Sequence, residues 1–374
     1  MNRETAGQQI ARARRRRGIS QAVLAGLVGR SESWLSQVER GKRSIDSHSV
    51  LLGLAEVLGV DVEEITGAGN DPDDRRHAYP AATEIEQAMM GYGAPSHHGG
   101  QRDDPVMAHL RASARSAYEA YQATRYDAAG RMVPGLIRDI EAATRIAGPD
   151  APAVCQVRAL VYDTAAALLN RVGEPFLAWA AADRAMSAAK YSGEPLLAAF
   201  SAWRLSFVLT SRKHPQHALD LAMSAADTLE QTMRSPRPEQ LSVYGALHLA
   251  AASAAADRHD RATTAALLAK ARGIADRTGE TNHLGTAFGH VNVAIHSIAA
   301  SIRFGDARAA AETGESLDTT PLPAGLVGRR TQVNLDLARA YAMRRQDAAA
   351  VNLLLAAERP VRSLSGTTSG HTVC

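Results

Sequence analysis

The side chains with the clearest chemical use lie in the string Ile19-Ser-Gln-Ala-Val-Leu-Ala-Gly-Leu-Val-Gly-Arg-Ser-Glu-Ser-Trp-Leu-Ser-Gln-Val-Glu-Arg-Gly-Lys-Arg43. Amides and hydroxyls on a short helix, flanked by arginines and a lysine, suit recognition of a polyanion rather than bond breaking. Residues 1–45 hold ten basic side chains against three acidic ones, a balance of +7, while the rest of the chain holds 32 against 36, a balance of −4. A small basic end on a weakly acidic body points to a polyanionic partner for that end alone. Consecutive helix residues point about 100° apart, so the run Arg14–Arg17 divides between the core and a phosphate-attracting surface.

Little else in the chain promises chemistry. No Ser/His/Asp elbow, phosphate loop or HExxH string occurs, so an enzyme is not expected, nor a cofactor. His214 and His217 share a helical face, but two ligands without a nearby Cys or acid do not make a metal site. Two cysteines, Cys155 and Cys374, exclude a disulfide framework, and Cys155 is expected in a core. The longest apolar run, near 246–256, is far short of the ~20 residues a membrane span needs. Residues 1–20 lack the apolar core of a secretory signal. With 45% hydrophobic and 22% charged residues in 374, the expectation is a cytoplasmic chain of two or three domains and no membrane partner.

The elements that must position the polar helix are short. An amphipathic helix over 5–17 is ended by Gly18; Ser20 caps a helix over 21–28, ended by Gly29. Ser31 caps a third over 32–39, ended by Gly41, with Trp34, Leu35 and Val38 apolar. A fourth runs over 50–58 to Gly59, and Asp61 caps a final turn containing Ile65. Small Ala25 sits where the second and third helices cross, as a helix-turn-helix requires. Residues 67–105 are rich in Gly and Pro and read as a flexible linker, with one short helix around 82–90.

From residue 106 the pattern is helical. Long amphipathic helices open near Ala151, Glu194, Arg237, Thr281 and Ala324, at intervals of 43, 43, 44 and 43 residues. Each is followed by a break and a second, Ala-rich helix. A lone hairpin cannot bury its apolar stripe, so neighbours must stack. The expected fold is all-α: a five-helix helix-turn-helix domain (1–66), the linker, and an α-solenoid of helix hairpins (106–360). Five hairpins follow a sixth over 106–147, and residues 361–374 form a disordered tail; one irregular bundle is the alternative. First helices of such hairpins usually line a concave face. Those here carry Arg158, Tyr162, Arg204, Tyr244, His248 and Asn292, a candidate groove for a peptide or small-molecule effector. The alternative is that these are ordinary packed polar groups.

Residues 5–66 resemble the helix-turn-helix domain of phage-repressor and xenobiotic-response-element (XRE) type regulators. Ser20-Gln21, Leu24-Ala25, Val28-Gly29, Trp34-Leu35-Ser36, Glu39-Arg40-Gly41-Lys42 and Leu54-Ala55 with Leu58-Gly59-Val60 carry the likeness. It implies that Glu32, Ser33 and Gln37 face base edges in the major groove. There Gln37 would pair with adenine and Glu32 accept from cytosine. It also implies phosphate contacts from Gln21, Arg30, Lys42 and Arg43, and a structural pair between Arg14 and Glu39. Val23 departs from the Glu common in relatives, and Trp34 is bulkier than usual. Residues 82–147, notably Ala117–Tyr126 and Gly130–Ile137, resemble actinomycete regulators in which an XRE head precedes a tetratricopeptide-like domain. The period of 43 exceeds the 34 of that repeat. The resemblance implies a DNA-binding transcriptional regulator, a homodimer on an inverted repeat of double-stranded DNA. The competing reading is an interaction scaffold with a weak, non-specific DNA tether.

Overall fold

A computed structural model describes residues 6–45, 48–60, 65, 79–91 and 104–365. Among these residues there are seventeen α-helices and no strand. They fall into two compact units, 1–77 and 78–374.

The first unit holds α1 (Ala6–Arg16), α2 (Gln21–Leu27), α3 (Glu32–Glu39) and α4 (His48–Leu58). Gly18, Gly29, Gly41 and Gly59 follow the four helices in left-handed backbone, with φ between 62° and 68°. A side chain there would strain the turn, so glycine ends each helix cheaply. Ser20 and Ser31 cap α2 and α3, each Oγ accepting from a backbone N–H at 3.2 Å (Val23 and Trp34). Ile10, Leu24, Trp34, Leu35, Val38, Leu54 and Leu58 make the core. Gly7 lets α1 lie against the end of α3: a Cβ there would stand 2.0 Å from the Val38 carbonyl oxygen. The expected fifth turn falls almost wholly outside the described residues, though Ile65 is buried with this core.

The second unit opens with α5 (Pro80–Met89), whose Ala82, Ile85, Ala88 and Met89 are buried against α7. Six hairpins follow. They pair α6 (Asp104–Gln122) with α7 (Tyr126–Ala147), α8 (Pro152–Arg171) with α9 (Pro175–Tyr191), and α10 (Pro195–Ser211) with α11 (Pro215–Glu230). Next come α12 (Pro238–Asp257) with α13 (Arg261–Thr278), α14 (His290–Arg303) with α15 (Ala307–Glu315), and α16 (Val327–Met343) with α17 (Asp347–Ser365). Successive first helices pack on one another, from α6 through α8, α10, α12 and α14 to α16. Proline opens α8 to α12, where its missing N–H costs nothing.

All six hairpins share one turn. Its middle residue has positive φ (Thr124, Gly173, Lys213, His259, Gly305, Arg345). The next residue's N–H reaches five residues back, as in Arg125 to Ala120, His214 to Leu209 and Asp260 to Ala255. That bond satisfies a carbonyl that the helix end leaves unpaired.

Three expectations need correction. The first helix expected near Thr281 opens instead at His290; a loop with a 3₁₀ turn at His283–Gly285 comes first. Thr281 N–H donates to the Phe288 carbonyl and Glu280 accepts from Val291 N–H, which closes the loop onto the start of α14. The interval 67–105 is not all linker, because α5 buries an apolar face on the solenoid and Arg184 donates to its last carbonyl, at Met89. The last helix runs on to Ser365, past the expected end at 360; 366–374 lie outside the described residues. No helix among the described residues is long and apolar enough to cross a membrane.

Candidate nucleic-acid interface

Helix α3 has two faces because its apolar residues recur three and four apart. Trp34, Leu35 and Val38 point into the core. On the other side Glu32 and Ser33 are exposed and Gln37 half-buried. Ser33, Gln37 and Arg40 lie along one line at spacings of three and four residues. Arg40 is exposed and its Nε donates to the Ser36 carbonyl at 3.0 Å. Arg40 is not among the contact residues expected from the sequence, although its spacing from Ser33 and Gln37 puts it on their line.

One carboxylate holds this helix in place. Glu39, 8% exposed, accepts from Arg14 Nε at 2.6 Å, Arg14 Nη2 at 2.9 Å and Gln21 Nε2 at 2.7 Å. Arg14 Nη1 also donates to the Ile19 carbonyl at 3.0 Å. Burial by itself would push the Glu39 carboxyl up. The hydrogen bonds from Arg14 and Gln21 outweigh it, so the carboxyl sits below its usual range. The same bond raises the Arg14 guanidinium. Helices α1, α2 and α3 thus meet at one charged node, and α3 cannot rotate without breaking it.

This places the expected contact residues differently from one another. Gln21 spends one of its two side-chain N–H groups on Glu39, which leaves the other and its backbone N–H at the start of α2. Arg30 is exposed, its guanidinium 5.7 Å from the centre of the Trp34 ring; the bulky Trp34 provides a platform for it. Lys42 and Arg43 are exposed in the turn after α3. Arg17 reaches away, donating to the Val57 carbonyl at 2.6 Å, so Arg14 and Arg17 of that run are structural.

The six residues expected to line an effector groove are not brought together. Arg158 and Tyr162 both bond Glu141 at 2.8 Å, between α7 and α8. Tyr244 and His248 stack edge to face at 4.5 Å inside α12, where every residue from Leu241 to Ala256 is buried. Asn292 is buried with its Oδ1 unpartnered. Arg204 lines a cavity. The 43-residue register identifies equivalent positions, but a helix covered on all sides has no unique concave face. Two cavities lie instead beside α6, of about 110 and 280 Å³. A wall divides them: Tyr118 OH and Gln122 Nε2 donate to the Gly285 carbonyl at 3.0 and 2.9 Å. Among the described residues no cluster of three or more His, Cys, Asp or Glu is placed to hold a metal.

Residues 5–66 match the family of the helix-turn-helix domain. No curated protein matches the chain. Among solved structures, the chain is similar to the crystal structure of Bacillus thuringiensis PlcR in complex with the peptide PapR7 and DNA. The identity is 13%, over 73% of this chain and 95% of that one, with a TM-score of 0.33.

Proposed function

We propose that this chain is a sequence-specific DNA-binding transcriptional regulator of the XRE type. It inserts α3 into the major groove, with its solenoid serving dimerisation and effector binding. The observation that carries the reading is the outward line Ser33, Gln37 and Arg40, with Glu32 beside it and Arg30, Lys42 and Arg43 around it, on a helix pinned by Glu39. A side-chain amide reads adenine with two hydrogen bonds, and flanking cations neutralise phosphates without reading sequence. Gln21 joins them through its backbone N–H at the start of α2 and the second N–H of its side-chain amide, the first being held by Glu39.

One such head makes few base contacts. Specific sites commonly exceed non-specific ones by ~10³–10⁷, which two heads on half-sites about one helical turn apart supply. The proposed form is therefore a homodimer on an inverted repeat. Selection from random oligonucleotides at physiological ionic strength tests the whole reading. The expected product is a two-fold symmetric site; recovery of unselected sequence leaves the scaffold with a DNA tether as the surviving account.

A further inference from the structure

The smaller cavity beside α6 carries an unbalanced charge. Arg171, Arg204 and Arg329 line it, from α8, α10 and α16, with Tyr118, Tyr121 and Tyr126. No acidic residue is in that lining. Each guanidinium has five N–H donors and no acceptor. The surroundings offer neutral acceptors only: Tyr126 OH takes Arg171 Nε at 3.1 Å, Gln332 Oε1 takes Arg171 Nη1 at 3.5 Å, and Tyr118 OH takes Arg204 Nη2 at 2.6 Å.

Arg204 is 7% exposed, and its Nε has no partner. Its guanidinium lies 4.5 Å from the Trp203 ring centre, which holds the fork flat. The Arg329 side chain has no hydrogen-bond or ion-pair partner among the described residues. Burial and repulsion from Arg204 and Arg171 hold its guanidinium below its usual range. Two buried acids lie within electrostatic reach, Asp163 of Arg204 and Asp336 of Arg171, but neither forms an ion pair or hydrogen bond with these guanidiniums. Asp163 bonds Ser201 at 2.7 Å and lines the other cavity; Asp336 bonds Gln332 and Arg339 at 2.9 and 3.0 Å. Gathering three guanidiniums at one cavity, one of them buried, with no ion-paired carboxylate in the lining is expensive, and planar forks match carboxylate and phosphate oxygens two at a time.

We propose that this cavity binds a compact anion, a carboxylate or phosphate group carried by a small molecule, between Arg204 and Arg329 with Arg171 at its exposed mouth. At about 110 Å³ the space is below the ~150 Å³ that admits benzene in an engineered cavity, so the anionic group enters and any remainder of the ligand stays outside. Arg204 and Arg329 come from helices more than a hundred residues apart. An anion there ties the last hairpin to the third and, through the Arg204–Tyr118 bond, to α6, a contact that favours whichever arrangement of the hairpins binds it better. This narrows the effector part of the function proposed above and rests on it for its regulatory meaning; binding itself is measured without DNA.

The test is thermal unfolding of the full chain in inorganic phosphate and, separately, in malonate, against chloride of equal ionic strength. A saturable rise in Tm with either anion is expected. Phosphate alone indicates a phosphate ester as ligand, and malonate alone a carboxylate. Arg329→Gln, which removes a cation without breaking any bond, is expected to keep or raise Tm in chloride and to weaken the anion at least tenfold. Arg329→Lys, which keeps charge but loses the fork, should fall between. The proposal is overturned if neither anion exceeds chloride, or if Arg329→Gln responds as the parent does. Operator selection with and without the bound anion then reads its effect on DNA binding, so failure of one reading is separable from failure of the other.

Discussion

Replacing Glu39 with alanine removes the acceptor at which α1, α2 and α3 meet. The carboxylate takes three hydrogen bonds of 2.6–2.9 Å, and the Arg14 and Glu39 side chains are only 13% and 5% exposed. Three charge-assisted bonds of ~1.5–3 kcal/mol each set a gross ceiling, but desolvation is recovered when the pair opens. Losing one partner of a buried pair typically costs about 3–5 kcal/mol, since the other charge stays behind unpaired. The first unit is small, and a domain holds roughly 0.05–0.15 kcal/mol per residue, so this is a large share of its stability. Amide hydrogen exchange in the full chain resolves the two units separately. At 1.4 kcal/mol per decade, the slowest amides of α1 and α3 should exchange about 10²–10⁴-fold faster in Glu39→Ala, with those of α8 and α12 unchanged. The pH dependence has a definite sign. Glu39 is held below its usual carboxylate range, so its contribution is present above the unfolded value and is lost as pH falls through the folded one. Parent and variant should therefore converge in acid. A change below tenfold near neutral pH, or a difference that persists in acid, would refute the assignment of Glu39 as the pin.

Further outcomes follow from the same geometry. Gln37→Ala should cost ~1–3 kcal/mol at one base position and relax the selected site there; an unchanged site removes Gln37 from base reading. Arg43→Ala should weaken all sequences alike and reduce the salt slope by about one unit, checked by binding titrations at several salt concentrations. His259→Gly, at φ 58° in a hairpin turn, should stabilise the solenoid by up to about 1 kcal/mol in denaturant titration, because only glycine enters that backbone region without a Cβ clash. Burial raises the Asp163 carboxyl to about 7, so neutral Asp163 favours the fold below its unfolded value and the benefit fades as pH rises through 7. Asp163→Asn should flatten the parent's stability slope between about pH 4 and 7; parallel slopes would show that Asp163 is ionised when folded.

The sequence by itself determined whatever rests on local periodicity and turn chemistry. The first four helices of the first unit announce themselves through Ser20 and Ser31 at helix starts and glycine at helix ends, because capping and left-handed backbone are properties of a few adjacent residues. Most of the hairpin register was legible for the same reason: Pro152, Pro195 and Pro238 open helices at the 43-residue interval. Where local signals were mute, tertiary contact decided. Turns at Lys213, His259 and Arg345 adopt a backbone that glycine would favour, so no residue type marks them; packing of the two flanking helices imposes it. The loop before His290 displaces α14 because Phe288, fully buried, seats on Gly245 of α12, where a Cβ would come within 2.0 Å of the ring. Which polar side chains face a cavity also belonged to the tertiary structure alone. Arg158, Tyr162, Tyr244 and His248 share a register with groove positions, yet the first two are consumed by Glu141 of α7 and the last two pack on each other within buried α12. Arg171 and Arg329, with no periodic signal, converge on Arg204 only because distant hairpins return to one another. A side chain's helix can be read from spacing along the chain; the face that remains open depends on what the rest of the chain covers.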